Sequence, residues 1–276
     1  MLCCPSHTPQ KGNCLNTLYL DHQLLPDNVF DRTELEVLSI GANQLHTLPD
    51  AIGNLHNLRQ LYVHDNLLET IPERIGELTQ LEILDLGHNR LLSLPDSLGK
   101  LTNLQFLYIS DNQLQTYPRQ LETLHNLRYL GLTDNQLTEI DASIGSLQQL
   151  VELRLYNNQL TTLPDAIGQL SALRELHVMN NPITTLSDSI GDLSELRMLS
   201  LRNCSLTTIP DHMGNLSKLT QLDLRANQLS TLPESLCELP KLEKLDLRWN
   251  RGMQLPKALH DLEDRGCVVY YPLTLD

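Results

Sequence analysis

The sequence predicts a single right-handed solenoid of the α/β class, horseshoe-like, with a parallel β-sheet on its concave side and short helices or 3₁₀ turns on its convex side. Three observations carry that expectation. Leucine recurs every 23 residues from Leu35 to Leu242. Within each 23-residue unit the first, fourth, sixth, eleventh, fourteenth, eighteenth and twenty-first positions are apolar, and Gly252 is the one departure in ten units. Asparagine holds the ninth position of every unit except one, where Cys204 stands. A core laid down with a fixed period belongs to stacked repeats rather than to an ordinary globular domain.

Each segment then has a reading. Residues 1–14, with Cys3, Cys4 and Cys14, show no pattern and read as a tail in which a metal or lipid site is the alternative to a solvated segment. Residues 15–34 form a shorter unit, with Phe30 where later units carry Ile, and are expected to cap the first end of the stack. Residues 35–264 are ten repeats. In each, an alternation such as Leu153–Arg154–Leu155 buries every second side chain on a short strand. The ninth-position Asn follows; its amide both donates and accepts, which suits backbone groups that a turn would bury unpaired.

Pro at the fifteenth position, from Pro49 to Pro256 in eight repeats, fixes φ where the return segment begins. Acidic residues often follow it, as at Asp50, Glu73, Asp96 and Asp165, where they meet the free N–H groups of a helical start. Residues 265–276 supply a final strand, with Val268, Val269, Tyr270 and Tyr271 expected to close the second end, and a tail.

These repeats, of the form LxxLxLxxNxLxxLPxxIGxLxx and typified by LVELRLYNNQLTTLPDAIGQLSA from Leu150, resemble the leucine-rich repeat family in its 23-residue intracellular form. The resemblance reaches plant Ras-group-related proteins, the animal Ras-pathway scaffold of this type and many bacterial repeat proteins. It implies a scaffold for signalling proteins such as small GTPases, or a bacterial effector that engages a host protein.

Composition narrows the classes. The chain has 276 residues, 41% of them apolar, which supports a folded core. Its 34 acidic against 20 basic residues leave a net charge of -14, unsuited to phosphate backbones or an anionic membrane surface. No run of 18 apolar residues exists, and the opening MLCCPSHTPQKGN has no apolar core of a secretory signal. The six cysteines form no paired framework, which fits a reducing compartment. A monomeric cytoplasmic protein is expected, with export by a route that needs no such signal left open.

No phosphate-binding loop, dinucleotide fingerprint, HExxH, GxSxG or CxxC occurs, so no catalytic role and no cofactor are expected. Cys237 and Cys267 read as core. The outward strand positions are the third, fifth, seventh and eighth of each unit. They hold Tyr62, Phe106, Tyr108, Tyr129, Tyr156 and Trp249, six of the chain's eleven aromatics. The interior is already filled by the inward leucines, so these rings read as anchors for a partner protein; strand propensity alone is the competing explanation.

Arg154, His177, Arg202, Arg225 and Arg248 add charge toward the second end. The arginines either grip an acidic or phosphorylated group or pair with neighbours such as Asp223 and Asp246. Asp65, His88, Asp111 and Asp134 at the eighth position read as turn residues in preference to a cation site. The expected function is a non-enzymatic interaction module. The alternatives are an effector that recruits ubiquitin-linked enzymes and a receptor for an anionic ligand.

Overall fold

A computed structural model describes residues 16–272, apart from 24 and 27. Cys3, Cys4 and Cys14 therefore lie outside the described residues. Twelve three-residue strands form one parallel sheet in strict chain order. They are β1 (Thr17–Tyr19), β2 (Val37–Ser39), β3 (Gln60–Tyr62), β4 (Ile83–Asp85), β5 (Phe106–Tyr108) and β6 (Tyr129–Gly131). The second half contains β7 (Glu152–Arg154), β8 (Glu175–His177), β9 (Met198–Ser200), β10 (Gln221–Asp223), β11 (Lys244–Asp246) and β12 (Val268–Tyr270). Each strand pairs with the next in a register that advances by one repeat, so equal repeat positions stand side by side.

The predicted periodic core is observed. Leu35, Leu38, Ile40, Leu58, Leu61 and their equivalents are fully buried along the stack. The exceptions among consensus positions are Leu45 and Leu186, which are half-buried, and Leu255 in the last repeat, which is 40% exposed.

The ninth-position asparagines knit adjacent repeats. Asn135 donates from Nδ2 to the carbonyls of Leu132 and Thr133 in its own repeat and of Ile109 in the preceding one. Its Oδ1 accepts the N–H of Leu114 at 3.0 Å. The same pattern recurs at Asn66, Asn89, Asn112, Asn158 and Asn227, so buried turn groups are satisfied by side chains rather than by water. Cys204 makes only long contacts to the Val178 and Arg202 carbonyls, 3.6 and 3.9 Å. Ile183 N–H, left without the usual Oδ1, turns to the Asn181 carbonyl at 2.8 Å.

The convex side consists of five-residue 3₁₀ turns, from Asp50–Asn54 to Asp211–Asn215, and then a short α-helix, α1 (Glu234–Cys237). Pro stands just before most of them, without a side-chain cap. Where Pro is missing, Asp141 and Ser187 accept the N–H of Ser143 and Ser189, so a capping bond replaces the fixed φ. A Cβ on Gly76 or Gly168 would stand 2.5 Å from the backbone oxygen of the next turn, Ser97 or Ser189. Glycine permits that close stacking where it occurs, and the turn Arg119–Thr123 carries Glu122 in its place.

At the ends, Phe30 is buried beside Val29, and α2 (Leu259–Asp264) precedes β12. The strand alternation turns only Val269 toward the core; Val268 is 53% exposed and Tyr270 39%. β12 is nonetheless the last strand of the sheet, paired in parallel with β11. Among the described residues no helix is long and apolar enough to cross a membrane.

Candidate binding face

The outward strand positions form the concave face, and register decides which side chains meet. Phe106 stands beside Tyr129, Tyr62 beside Asp85, Asp85 beside Tyr108, and Arg154 beside His177. Tyr62, Phe106, Tyr108, Tyr129 and Tyr156 are half-buried rather than freely exposed, because neighbours about 4.8 Å away shield their flanks. Tyr129 stacks on Tyr108 with centroids 4.6 Å apart, and the Arg154 guanidinium lies 5.6 Å from the Tyr129 ring centre. Glu152 holds that guanidinium by an ion pair. The phenol of Tyr62 donates to Gln60 Oε1 at 3.1 Å, and burial pushes its ionisation up to about 12.

Beyond each strand the eighth-position residue adopts the left-handed conformation, with φ between +51° and +63° in all ten repeats. Asp and Asn, which tolerate it best, occupy six of them: Asp65, Asp111, Asp134, Asn157, Asn180 and Asn203. This gives the acidic rim its structural cause. The amides also chain along it: Asn157 donates to Asp134, Asn180 to Asn157, and Asn203 to Asn180 at 2.9 Å. Trp249 is the misfit, a bulky side chain at φ +63°, 52% exposed, with Arg248 stacked 5.5 Å from its ring centre.

The arginine column is mostly paired within the protein. Arg225 makes a two-pronged bond to Asp223 and reaches Asp246 at 3.4 Å; Arg248 is held the same way by Asp246. Both carboxylates come from two residues earlier on the same strand. Arg225 and Arg248 are therefore not free anion-gripping groups, and Arg202 alone of the three is exposed without an ion pair among the described residues.

Two features escaped sequence reasoning. Glu152, Glu175 and His177 each bring a potential ligand atom within 4.8 Å of the others. Arg154 already clasps Glu152, however, and His177 Nε2 lies 3.3 Å from Glu175, so the trio is an internally bonded cluster. The shared ELR and ELH triplets of consecutive repeats were the available signal. The second is the apolar surface at the far end, where Val268, Tyr270 and Tyr271 join Trp249, with Arg248 and Lys244 stacked 4.9 and 5.5 Å from the Tyr270 ring centre. The three described thiols, Cys204, Cys237 and Cys267, are free and buried, and burial raises all three above the ordinary thiol range.

Profiles described as "Leucine rich repeat" match residues 61–114, 79–137 and 194–251, and one described as "Leucine-rich repeat region" matches 110–193. The chain belongs to the leucine-rich repeat proteins. No curated protein sequence matches this leucine-rich repeat chain. Among solved structures it is similar to the plant peptide hormone receptor RGFR1 in complex with RGF2, at 26% identity and a TM-score of 0.74, over 94% of this chain and 47% of that one. It is also similar to TLR13 in a complex with ssRNA13, at 26% identity and a TM-score of 0.71, over 80% of this chain and 34% of that one. A TDR receptor matches at 25% identity and a TM-score of 0.69, over 87% of this chain and 47% of that one. The leucine-rich repeat chain thus spans less than half of the length of each of these three chains.

Proposed function

We propose that this leucine-rich repeat protein is a non-enzymatic interaction module that captures a partner protein along its concave sheet. The observation that carries the reading is the run of Tyr62, Phe106, Tyr108, Tyr129 and Tyr156 on one rigid face. Stacked aromatics on a surface whose core needs none of them offer large contact area with little entropy left to lose. From the repeat of Tyr62 to that of Tyr156 is four steps, about 20 Å at strand spacing, room for a helix or an extended segment. The plant peptide hormone receptor RGFR1, solved in complex with RGF2, supports the reading, since it has the highest TM-score of the three structures described above.

A cytoplasmic signalling scaffold, with a small GTPase or a host signalling protein as partner, is the finer form of the proposal, and it comes from the intracellular repeat form alone. The test is a paired capture from lysate, native protein against Tyr108→Arg with Tyr129→Arg, both checked for native circular dichroism. A partner held by the native protein and lost by the variant is the expected result. Equal capture by both, with loss on Trp249→Ser and Tyr270→Ser, would move the interface to the far end of the solenoid.

A further inference from the structure

The concave face divides sharply by charge. Along β1 to β6 and the residues just after each strand, the outward positions hold Asp21, Asp65, Asp85, Asp111 and Asp134 and not one Lys or Arg. Along β7 to β11, Arg154, Arg202, Arg225, Lys244 and Arg248 stand among Glu152, Glu175, Asp223 and Asp246. There Glu152, Asp223 and Asp246 each hold an arginine. In the first half no outward carboxylate has a Lys or Arg partner among the described residues. Asp21 accepts Ser39 Oγ and Gly41 N–H, Asp111 faces His88 at 2.7 Å, and Asp134 accepts from Asn157.

Asp85 is the centre of that half. The register places it in one row between Tyr62 on β3 and Tyr108 on β5. Its Oδ1 accepts the Gly87 N–H at 3.0 Å, and its Oδ2 lies 3.5 Å from His64 Nδ1. Burial holds its carboxyl above the usual carboxylate range, against the opposing pull of Gly87 and His64. A partly desolvated carboxylate with an aromatic ring on either side is the environment in which an ammonium or guanidinium is bound by charge and by ring faces together. A bare metal ion has less to hold it here, because the trio of ligands within mutual reach lies at Glu152, Glu175 and His177 instead.

We propose that the row Tyr62–Asp85–Tyr108 receives a lysine or arginine side chain of the partner, and that the partner segment on this half of the sheet is cationic and runs beside the Asp65, Asp111 and Asp134 rim. The inference rests on the concave-face reading above and adds the chemistry of what is bound.

The experiment uses a fluorescent nona-arginine peptide, with nona-glutamate and a Gly-Ser peptide as controls, followed by anisotropy in about 0.15 M salt, where distant charges are screened. Native protein is compared with Asp85→Asn, with Tyr62→Leu, and with a convex-side variant losing three charges, Asp50→Asn, Asp165→Asn and Asp211→Asn. Asp85→Asn is expected to weaken nona-arginine binding about tenfold, the scale of one desolvated cation–aromatic contact with its ion pair, while its melting temperature does not fall. Tyr62→Leu should weaken it as well, and the convex variant should change it less than twofold.

Equal loss in the convex variant would reduce the effect to net charge and overturn the proposal, as would native-like binding by Asp85→Asn. Spermine displacing the peptide at equal concentration would overturn it in favour of a small polyamine. A partner that Tyr108→Arg with Tyr129→Arg releases but Asp85→Asn retains would overturn the cationic assignment and leave the concave-face reading standing.

Discussion

Tyr129 lies over Gly131 and against Tyr108, with its ring edge and hydroxyl about where a side chain at Gly131 would have to go. A Cβ there would stand 3.0 Å from both Tyr129 Cε1 and the Tyr129 oxygen. The glycine therefore opens the sheet floor so that a third-position ring can fold along its own strand onto the fifth-position ring of the preceding one. Arg154 closes the stack from the other side, and the result is a preorganised platform in the middle of the concave face.

Gly131→Ala should disturb that platform without unfolding the protein. The obstructing atoms belong to a side chain that can swing away, so the stability cost stays near 1 kcal/mol, the scale of a lost aromatic pair. The near-ultraviolet circular dichroism of tyrosine should fall, and capture of the concave-face partner should weaken with it. An unchanged tyrosine signal would mean that Gly131 does not position the ring.

The asparagine ladder makes a second, quantitative claim. Asn135→Ala removes the acceptor for Leu114 N–H and the donors to three carbonyls. Only the Leu114 N–H is left wholly unpaired, because the carbonyls of Ile109, Leu132 and Thr133 keep Asn112, Asn158 and the Asp111 N–H as donors. That group costs about 1–3 kcal/mol, and the thinned bonding of the carbonyls brings the expected loss in urea unfolding to roughly 2–4 kcal/mol. Cys204→Asn should act in the opposite sense. It restores short bonds to the Val178 and Arg202 carbonyls in place of thiol contacts of 3.6 and 3.9 Å, for a gain of about 1 kcal/mol. The gain is smaller than the loss at Asn135 because Ile183 N–H has already found the Asn181 carbonyl. A destabilised Cys204→Asn would show that this repeat has relaxed around the thiol.

Much of the fold was legible because its determinants are local and repeated. The inward leucines, the turn asparagine and the proline before the return segment each act within one repeat or on the next. Asp141 and Ser187 could have been read as caps from their residue type alone. What escaped depends on relations between repeats or on phase within a strand. The half-burial of Tyr108 and Tyr129 arises from stacking across β5 and β6 between residues 21 apart. The pairing of Arg225 and Arg248 with Asp223 and Asp246, by contrast, was one of the two readings open in the sequence, and only its main direction, along one strand rather than across two, was not. At β12 the same alternation that predicts the core sends Val268 and Tyr270 outward, a consequence that the apolar character of VVYY obscures.

The carboxyl of Asp85 gives a pH signature with a definite sign. Burial raises it in the folded protein, while in the unfolded chain it titrates near the ordinary value, about 3.9. Between those two points the folded state holds more protons than the unfolded one, so stability falls as pH rises through the window and then levels off. Asp85→Asn removes the ionisation and keeps the shape. It should therefore be more stable than the native protein at neutral pH, with the difference shrinking as pH drops and vanishing below about 4, where both carry a neutral side chain. Paired urea titrations from pH 3.5 to 7.5 measure this directly. A native protein that is the more stable of the two at neutral pH would mean that His64 and the Gly87 N–H outweigh desolvation, and that Asp85 is satisfied within the fold rather than left for a cation from outside.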